Sequence, residues 1–281
     1  MIGYGNSMFL ATHGILAGGG TPAATLLLDT YSGASAAYSL RKLSSTYIGN
    51  CIRVRRSSDN TEQNIGFVSN VLDTASLLTF CGAGNGFVTT WYDQSGNAKN
   101  TTQTTAINQP RIVNSGSLDL VNGKPAVLGD GVDDTLINTT FSLTNPSSIF
   151  TVVDKVGGGG NFGLTVGGSV AGQFLLSATG YGIYQNGPSF SPQYSNNNQS
   201  LLVYKTSSTG TNWEFYGNNT TVTNAGQNIG TALGTDLSLF DRGGATSRAN
   251  MYMQEFIIWS SNQMTNRTGI QTDINSFYTI Y

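Results

Sequence analysis

Histidine, cysteine and charge are all scarce in this 281-residue chain: one His, two Cys, and only 10% charged residues. The lone histidine, His13, lies in an apolar N-terminal stretch, so neither a Ser-His-Asp nor a Cys-His constellation can form in the globular part. The same shortage excludes a zinc ribbon or a histidine-rich metal site, and no metal or organic cofactor is expected. Two cysteines, Cys51 and Cys81, are too few for a disulfide scaffold and read better as buried free thiols. The net charge of −2 provides no basic field for nucleic acid. No apolar run is long enough to insert into a membrane as a helix.

What the chain does have is glycine (36 residues) and many short β-branched and aromatic runs separated by turn residues. That spacing predicts an all-β sandwich. Phe87 to Asp93 reads as a strand with Phe87, Thr89 and Trp91 on one face and Val88, Thr90 and Tyr92 on the other. Leu72 to Phe80 is a helical candidate capped by Asp73 or Thr74. The second half carries eight further strand runs, among them Ser148 to Asp154 and Met251 to Trp259. Met264, Arg267, Ile270, Ile274, Phe277 and Tyr281 then follow helical spacing, which predicts a closing amphipathic helix. Residues 1–22 form an apolar arm and a Gly-rich joint, either docking onto another subunit or adding a strand, and residues 23–281 form one domain. The first basic residue is Arg41, so the basic start of an export signal is not expected.

Three glutamates are present, Glu62, Glu214 and Glu255. Alternation puts Glu255 on a face with Met251, Met253, Ile257 and Trp259. There it would act as a raised-pKa acid or as a structural partner for Arg242 or Arg248. Asp130, Asp133 and Asp134 offer oxygen ligands for a structural Ca²⁺, but their spacing is not that of an EF-hand, and a turn bonded to its own backbone is favoured. Arg53 and Arg55 share a strand face and are expected to pair with Asp93 or Asp59. Sugar sites combine flat aromatic faces with neutral amides. Tyr181, Tyr184, Asn186 and Tyr194 form such a neighbourhood and are the carbohydrate-binding candidates, against the alternative of a polar loop with core-facing tyrosines.

Tyr38–Leu43, Ile52–Asp59 and Trp91-Tyr92-Asp93-Gln94-Ser95-Gly96-Asn97 resemble the N-terminal part of family 54 α-L-arabinofuranosidases, over roughly residues 30 to 115. From Asn122 to the C-terminus, Trp213–Asn218 and Gln254–Trp259 resemble concanavalin A-like and laminin G-like domains. Both resemblances imply a concanavalin A-like jelly-roll β-sandwich. The arabinofuranosidases carry their catalytic glutamate in a Glu-Ala-Ile-Tyr-Phe-Gly setting. The nearest counterpart here, Gly180-Tyr181-Gly182-Ile183-Tyr184-Gln185, has no carboxylate, so no catalytic residue is carried over.

The whole, including Met1–Ser7, resembles bacteriophage virion proteins. That implies a non-enzymatic capsid-decoration or fibre adhesin at the virion surface, attached to other virion proteins by its arm. It would be a homo-oligomer that holds cell-surface glycans weakly and multivalently. The alternatives are a divergent arabinofuranosidase-like glycoside hydrolase using Glu255 or Glu214 with an Asp, and a ligand-free cement protein.

Overall fold

The structure is a computed structural model that describes residues 25–142, 146–156, 162–166, 173–177, 180–184, 194–196, 198–206, 213–222, 236–241 and 248–281. The expected arm, residues 1–22, with His13, the Gly157–Gly160 run, Asn186 and Arg242 lie outside the described residues. The chain folds as an all-β sandwich closed by a C-terminal helix, as the residue pattern predicts. No described helix is long and apolar enough to cross a membrane.

One sheet is organised around the ten-residue strand Asn250–Trp259. On one edge it pairs with Ser148–Lys155, which continues to Ser200–Lys205 and Glu214–Gly217. On the other edge Ala36–Ser39 and Val127–Asp130 share its length. The sheet then runs through Arg111–Asn114, Gly86–Trp91 and Ile52–Arg56 to Glu62–Ile65. The facing sheet contains Leu136–Asn138, Leu237–Leu239, Phe162–Val166, Gln173–Ser177 and Gly180–Tyr184. Gly86–Trp91 also pairs with Thr101–Thr102, which in turn meets Leu136–Asn138, so this strand joins the two sheets at a corner.

Two apolar layers follow from strand alternation. Val54, Val88, Trp91, Val127, Met251, Met253, Phe256 and Ile258 fill the space between the sheets. Phe150, Val152, Val203, Ile257 and Trp259 face outward and are covered by Ile270, Ile274 and Tyr278 of the closing helix Arg267–Tyr278. The helix therefore exists because half of the outer sheet face is apolar and needs a lid. The early helix occupies Thr74–Cys81, with the Asp73 carboxylate accepting from the Ser76 N–H at 3.0 Å as its N-cap.

Strict alternation fails at two places, both bulges. Opposite Gly86–Trp91 the register slips between Arg53 and Val54, leaving Thr89 unpaired, so Val88 and Trp91 both point into the core. A second slip between Val152 and Val153 leaves Gln254 extra in the long strand. Met251 and Met253 therefore face the inner core, whereas Glu255 turns outward with Ile257 and Trp259 beneath the closing helix. The expectation that these residues share one face is corrected by that extra residue. Cys51 and Cys81 are both buried and free.

Candidate functional site

All fifteen acidic side chains fall within the described residues, so the carboxylates available for chemistry can be found by elimination. Glu62 pairs with Arg53, Asp59 with Arg56, Asp119 with Arg111, Glu214 with Lys205, and Asp241 with Arg248. Glu255 and Asp273 both serve Arg41, at 2.8 and 2.7 Å. Asp29 accepts the Ser45 N–H at 2.9 Å, and Asp73 is the helix cap. Asp93 accepts four bonds, from the N–H groups of Ala37, Ser95 and Lys99 and from the Ser95 hydroxyl, all between 2.7 and 2.9 Å. What remains is Asp130 and Asp154 on one sheet, Asp133 and Asp134 in the bend and loop that follow Asp130, and Asp236 beside the other sheet.

Asp154 lies on the outer face of its sheet, and Asp134 follows the Val127–Asp130 strand, which is separated from the Asp154 strand by Asn250–Trp259. Strand pairing builds one row across six strands, Asp154–Tyr252–Leu128–Arg111–Phe87–Arg55. The alternate residues Val153, Met251, Val127, Ile112, Val88 and Val54 are all in the inner core, which forces the row outward. Arg111 grips Asp119 through two nearly parallel bonds of 2.8 and 3.1 Å. Arg55 lies over the Phe87 ring at 4.8 Å and donates to Gln109 and Asn60.

Asp134 follows directly on the Val127–Asp130 strand, and its Oδ2 accepts the Asp130 N–H at 2.9 Å. The side chain is only 5% exposed. Burial first, then the neighbouring charges of Asp130 and Asp133, push its carboxyl up to about 7, with Arg111 opposing. Burial raises Asp154 as well, against one bond from the Lys155 N–H. A carboxyl protonated near neutral pH, with Arg111 close by, can deliver a proton to a leaving oxygen. The sequence reading weighed Asp134 only as a metal or turn residue and missed Asp154, because the burial that raises both carboxyls comes from non-local pairing.

The other expected residues are placed as follows. Glu255 is fully buried, paired with Arg41, and bonded by the Ser39 hydroxyl at 2.7 Å. It has no surface to meet a substrate. Glu214 bonds the Lys205 ammonium at 2.6 Å and the Tyr216 hydroxyl. Asp93 pairs with neither Arg53 nor Arg55. It ties the Trp91–Asn97 turn to the Ala36–Ser39 strand, and Arg53 and Arg55 go instead to Glu62 and to Gln109 and Asn60. Asp130, Asp133 and Asp134 can bring one oxygen each within 4.8 Å of one another. The Asp130 carboxylate accepts the Val132 N–H at 2.8 Å, as a self-bonded turn requires. Tyr181 is 1% exposed, and its hydroxyl accepts from the Lys155 N–H and donates to the Asn198 carbonyl, so its ring faces the core. Tyr194 is half-buried and pairs with Tyr181 through the backbone. Tyr184 lies in the Gly180–Tyr184 strand, and its side chain is outside the described residues.

A family model described as "Alpha-L-arabinofuranosidase B, catalytic" matches residues 25–129. A solved arabinofuranosidase complexed with arabinofuranosyl-α-1,2-xylobiose is similar in fold, with a TM-score of 0.70 and 18% identity over 86% of this chain. A family 54 α-L-arabinofuranosidase soaked with a cyclic sulfate inhibitor agrees equally well, at TM-score 0.70 and 18% identity. A Glu-to-Gln variant of a family 54 enzyme, soaked with 4-nitrophenyl α-L-arabinofuranoside, gives 0.67 and 19%, again over 86% of this chain. This chain spans 62% of the length of those proteins. No curated protein matches it.

The resemblance of the N-terminal part to arabinofuranosidases is thus supported. The reading as a phage decoration or fibre protein is overturned, because what matches is the catalytic portion of a glycoside hydrolase. The short motif Met1–Ser7 that suggested it lies outside the described residues.

Proposed function

We propose that this chain is a divergent arabinofuranosidase-like glycoside hydrolase domain, acting on glycans that carry α-L-arabinofuranosyl groups. The match of residues 25–129 to the arabinofuranosidase catalytic model carries this reading, and the shared sandwich fold supports it. The expectation of a non-enzymatic protein gives way to it. In this reading Asp134 is the proton donor. Its protonated carboxyl passes a proton to the glycosidic oxygen as the bond to the anomeric carbon breaks. Asp154 is the second carboxylate: it stabilises the positive charge that develops on the sugar ring and takes a proton from the water that adds to the anomeric carbon, after which exchange with solvent restores both carboxyl groups. The Arg111–Asp119 pair and Tyr252 hold the floor between them.

The experiment is turnover of 4-nitrophenyl α-L-arabinofuranoside by the whole chain, by Asp134→Asn and by Asp154→Asn. The wild type is expected to release nitrophenol, and each variant to lose about 10²-fold or more in kcat. Turnover that survives both substitutions, or no turnover by the wild type, sinks the assignment.

A further inference from the structure

A concavity lies where the closing helix Arg267–Tyr278 meets the turn at Asn218–Asn219. It has a volume of about 230 Å³ and is lined by Asn219, Thr268, Gln271, Thr272, Ser276 and Tyr281, with Asn275 at its base. Among the described residues, no Lys, Arg, Asp or Glu side chain lines it.

Arg267 decides how the two amides are turned. Its guanidinium lies 4.0 Å from the centre of the Tyr216 ring and donates through Nη1 to Asn219 Oδ1 at 3.0 Å and to Gln271 Oε1. Arginine can only donate, so both amides must present their oxygens to it and direct their NH₂ groups elsewhere. Gln271 is 1% exposed, and its Nε2 has no hydrogen-bond partner. A buried donor left unmet costs about 1–3 kcal/mol, a penalty that an acceptor in the concavity would remove.

Tyr281 supplies a flat surface, being half exposed. Asn275 fixes it, donating to the Tyr281 carbonyl at 2.8 Å and accepting from the Ile280 and Tyr281 N–H groups at 2.8 and 3.1 Å. Asn122 holds the preceding turn through the carbonyls of Tyr278 and Thr279. The platform is therefore set before any ligand arrives.

We propose that this concavity is a binding subsite for a neutral sugar. A hydroxyl or ring oxygen would accept from Gln271 Nε2, the Thr and Ser hydroxyls would complete the hydrogen bonding, and the C–H face of the ring would stack on Tyr281. A neutral ligand suits it better than an ion, because the lining consists of amides, hydroxyls and a phenol. The concavity is smaller than the roughly 300–1,000 Å³ of drug-sized sites, which suits one ring of a longer chain. The choice of a pentose as ligand rests on the proposed glycosidase reading; the site itself does not.

The test is a titration of the isotope-labelled whole chain with methyl α-L-arabinofuranoside and with xylotriose, following the Gln271 side-chain amide and the Tyr281 ring. Both signals are expected to move at millimolar sugar. Gln271→Glu keeps the shape and gains a charge partner in Arg267 but loses the donor, and Tyr281→Ala removes an exposed ring. Each should weaken binding at least about tenfold, while turnover of 4-nitrophenyl α-L-arabinofuranoside stays unchanged. Unmoved signals at Gln271 and Tyr281, or equal binding by wild type and both variants, would overturn the proposal. Sugar binding here without turnover leaves the subsite standing and removes the hydrolase; turnover without sugar binding here does the reverse.

Discussion

Replacing Asp134 by Asn should make the protein more stable in alkali and leave it nearly unchanged in acid. In the unfolded chain this carboxyl titrates near 3.8, and in the folded one near 7, because burial and the charges of Asp130 and Asp133 penalise ionisation. Between those values the native state holds a proton that the unfolded state has released. Stability from this group is therefore complete below pH 3.8 and lost as pH rises through 7. The gap corresponds to about 4 kcal/mol at the ceiling, and relaxation around the ionised form brings the expected span to about 2–4 kcal/mol. Asparagine has the same shape, still accepts the Asp130 N–H, and never ionises. Urea unfolding at fixed ionic strength, in steps from pH 4 to pH 8.5, reads the difference. Wild type and Asp134→Asn should nearly agree at pH 4, part in favour of the variant as pH rises towards 7, and keep a constant gap above it. Carboxylates with lowered values, such as Asp59 beside Arg56, titrate below this window and do not mask it. Parallel curves across the window would refute the buried, charge-crowded environment and with it the proton-donor role.

Arg41→Met should cost about 3–5 kcal/mol in chemical denaturation, because it leaves Glu255 charged and buried without its partner. Adding Glu255→Leu to that variant should recover much of the loss. Asp93→Ala should destabilise by at least about 3 kcal/mol, since it removes the acceptor of four donors that hold the Trp91–Asn97 turn. Neither Cys51 nor Cys81 should react with a thiol-specific dye in the native protein, because burial raises both thiols and shields them, whereas two equivalents should react in denaturant. A native-state reaction at either position would contradict the packing.

Local pattern was enough for the closing helix, the Asp73 cap and the strand set, because each is encoded by spacing and turn chemistry within a dozen residues. It was enough, too, for the likeness of the Trp91–Asn97 turn to arabinofuranosidases. The pattern misplaced Glu255 and Trp91 for one shared reason: a bulge inserts a single residue, and one residue reverses every face beyond it. Nothing in the residues around Met253 or Thr89 marks where that insertion falls, since it depends on which strand pairs opposite.

By itself, then, the sequence determined the class of fold, the scarcity of catalytic groups and the identity of the fifteen acids among which any carboxylate chemistry must be sought. Only the tertiary structure decided which acids are consumed by arginines, lysines and turns, and which remain. Asp134 and Asp154 are twenty residues apart in the chain. Their strands come to one sheet because Val127–Asp130 and Ser148–Lys155 both pair with Asn250–Trp259, a strand more than ninety residues further on. Burial and charge crowding arise from that non-local pairing, and no local reading of residues can supply them.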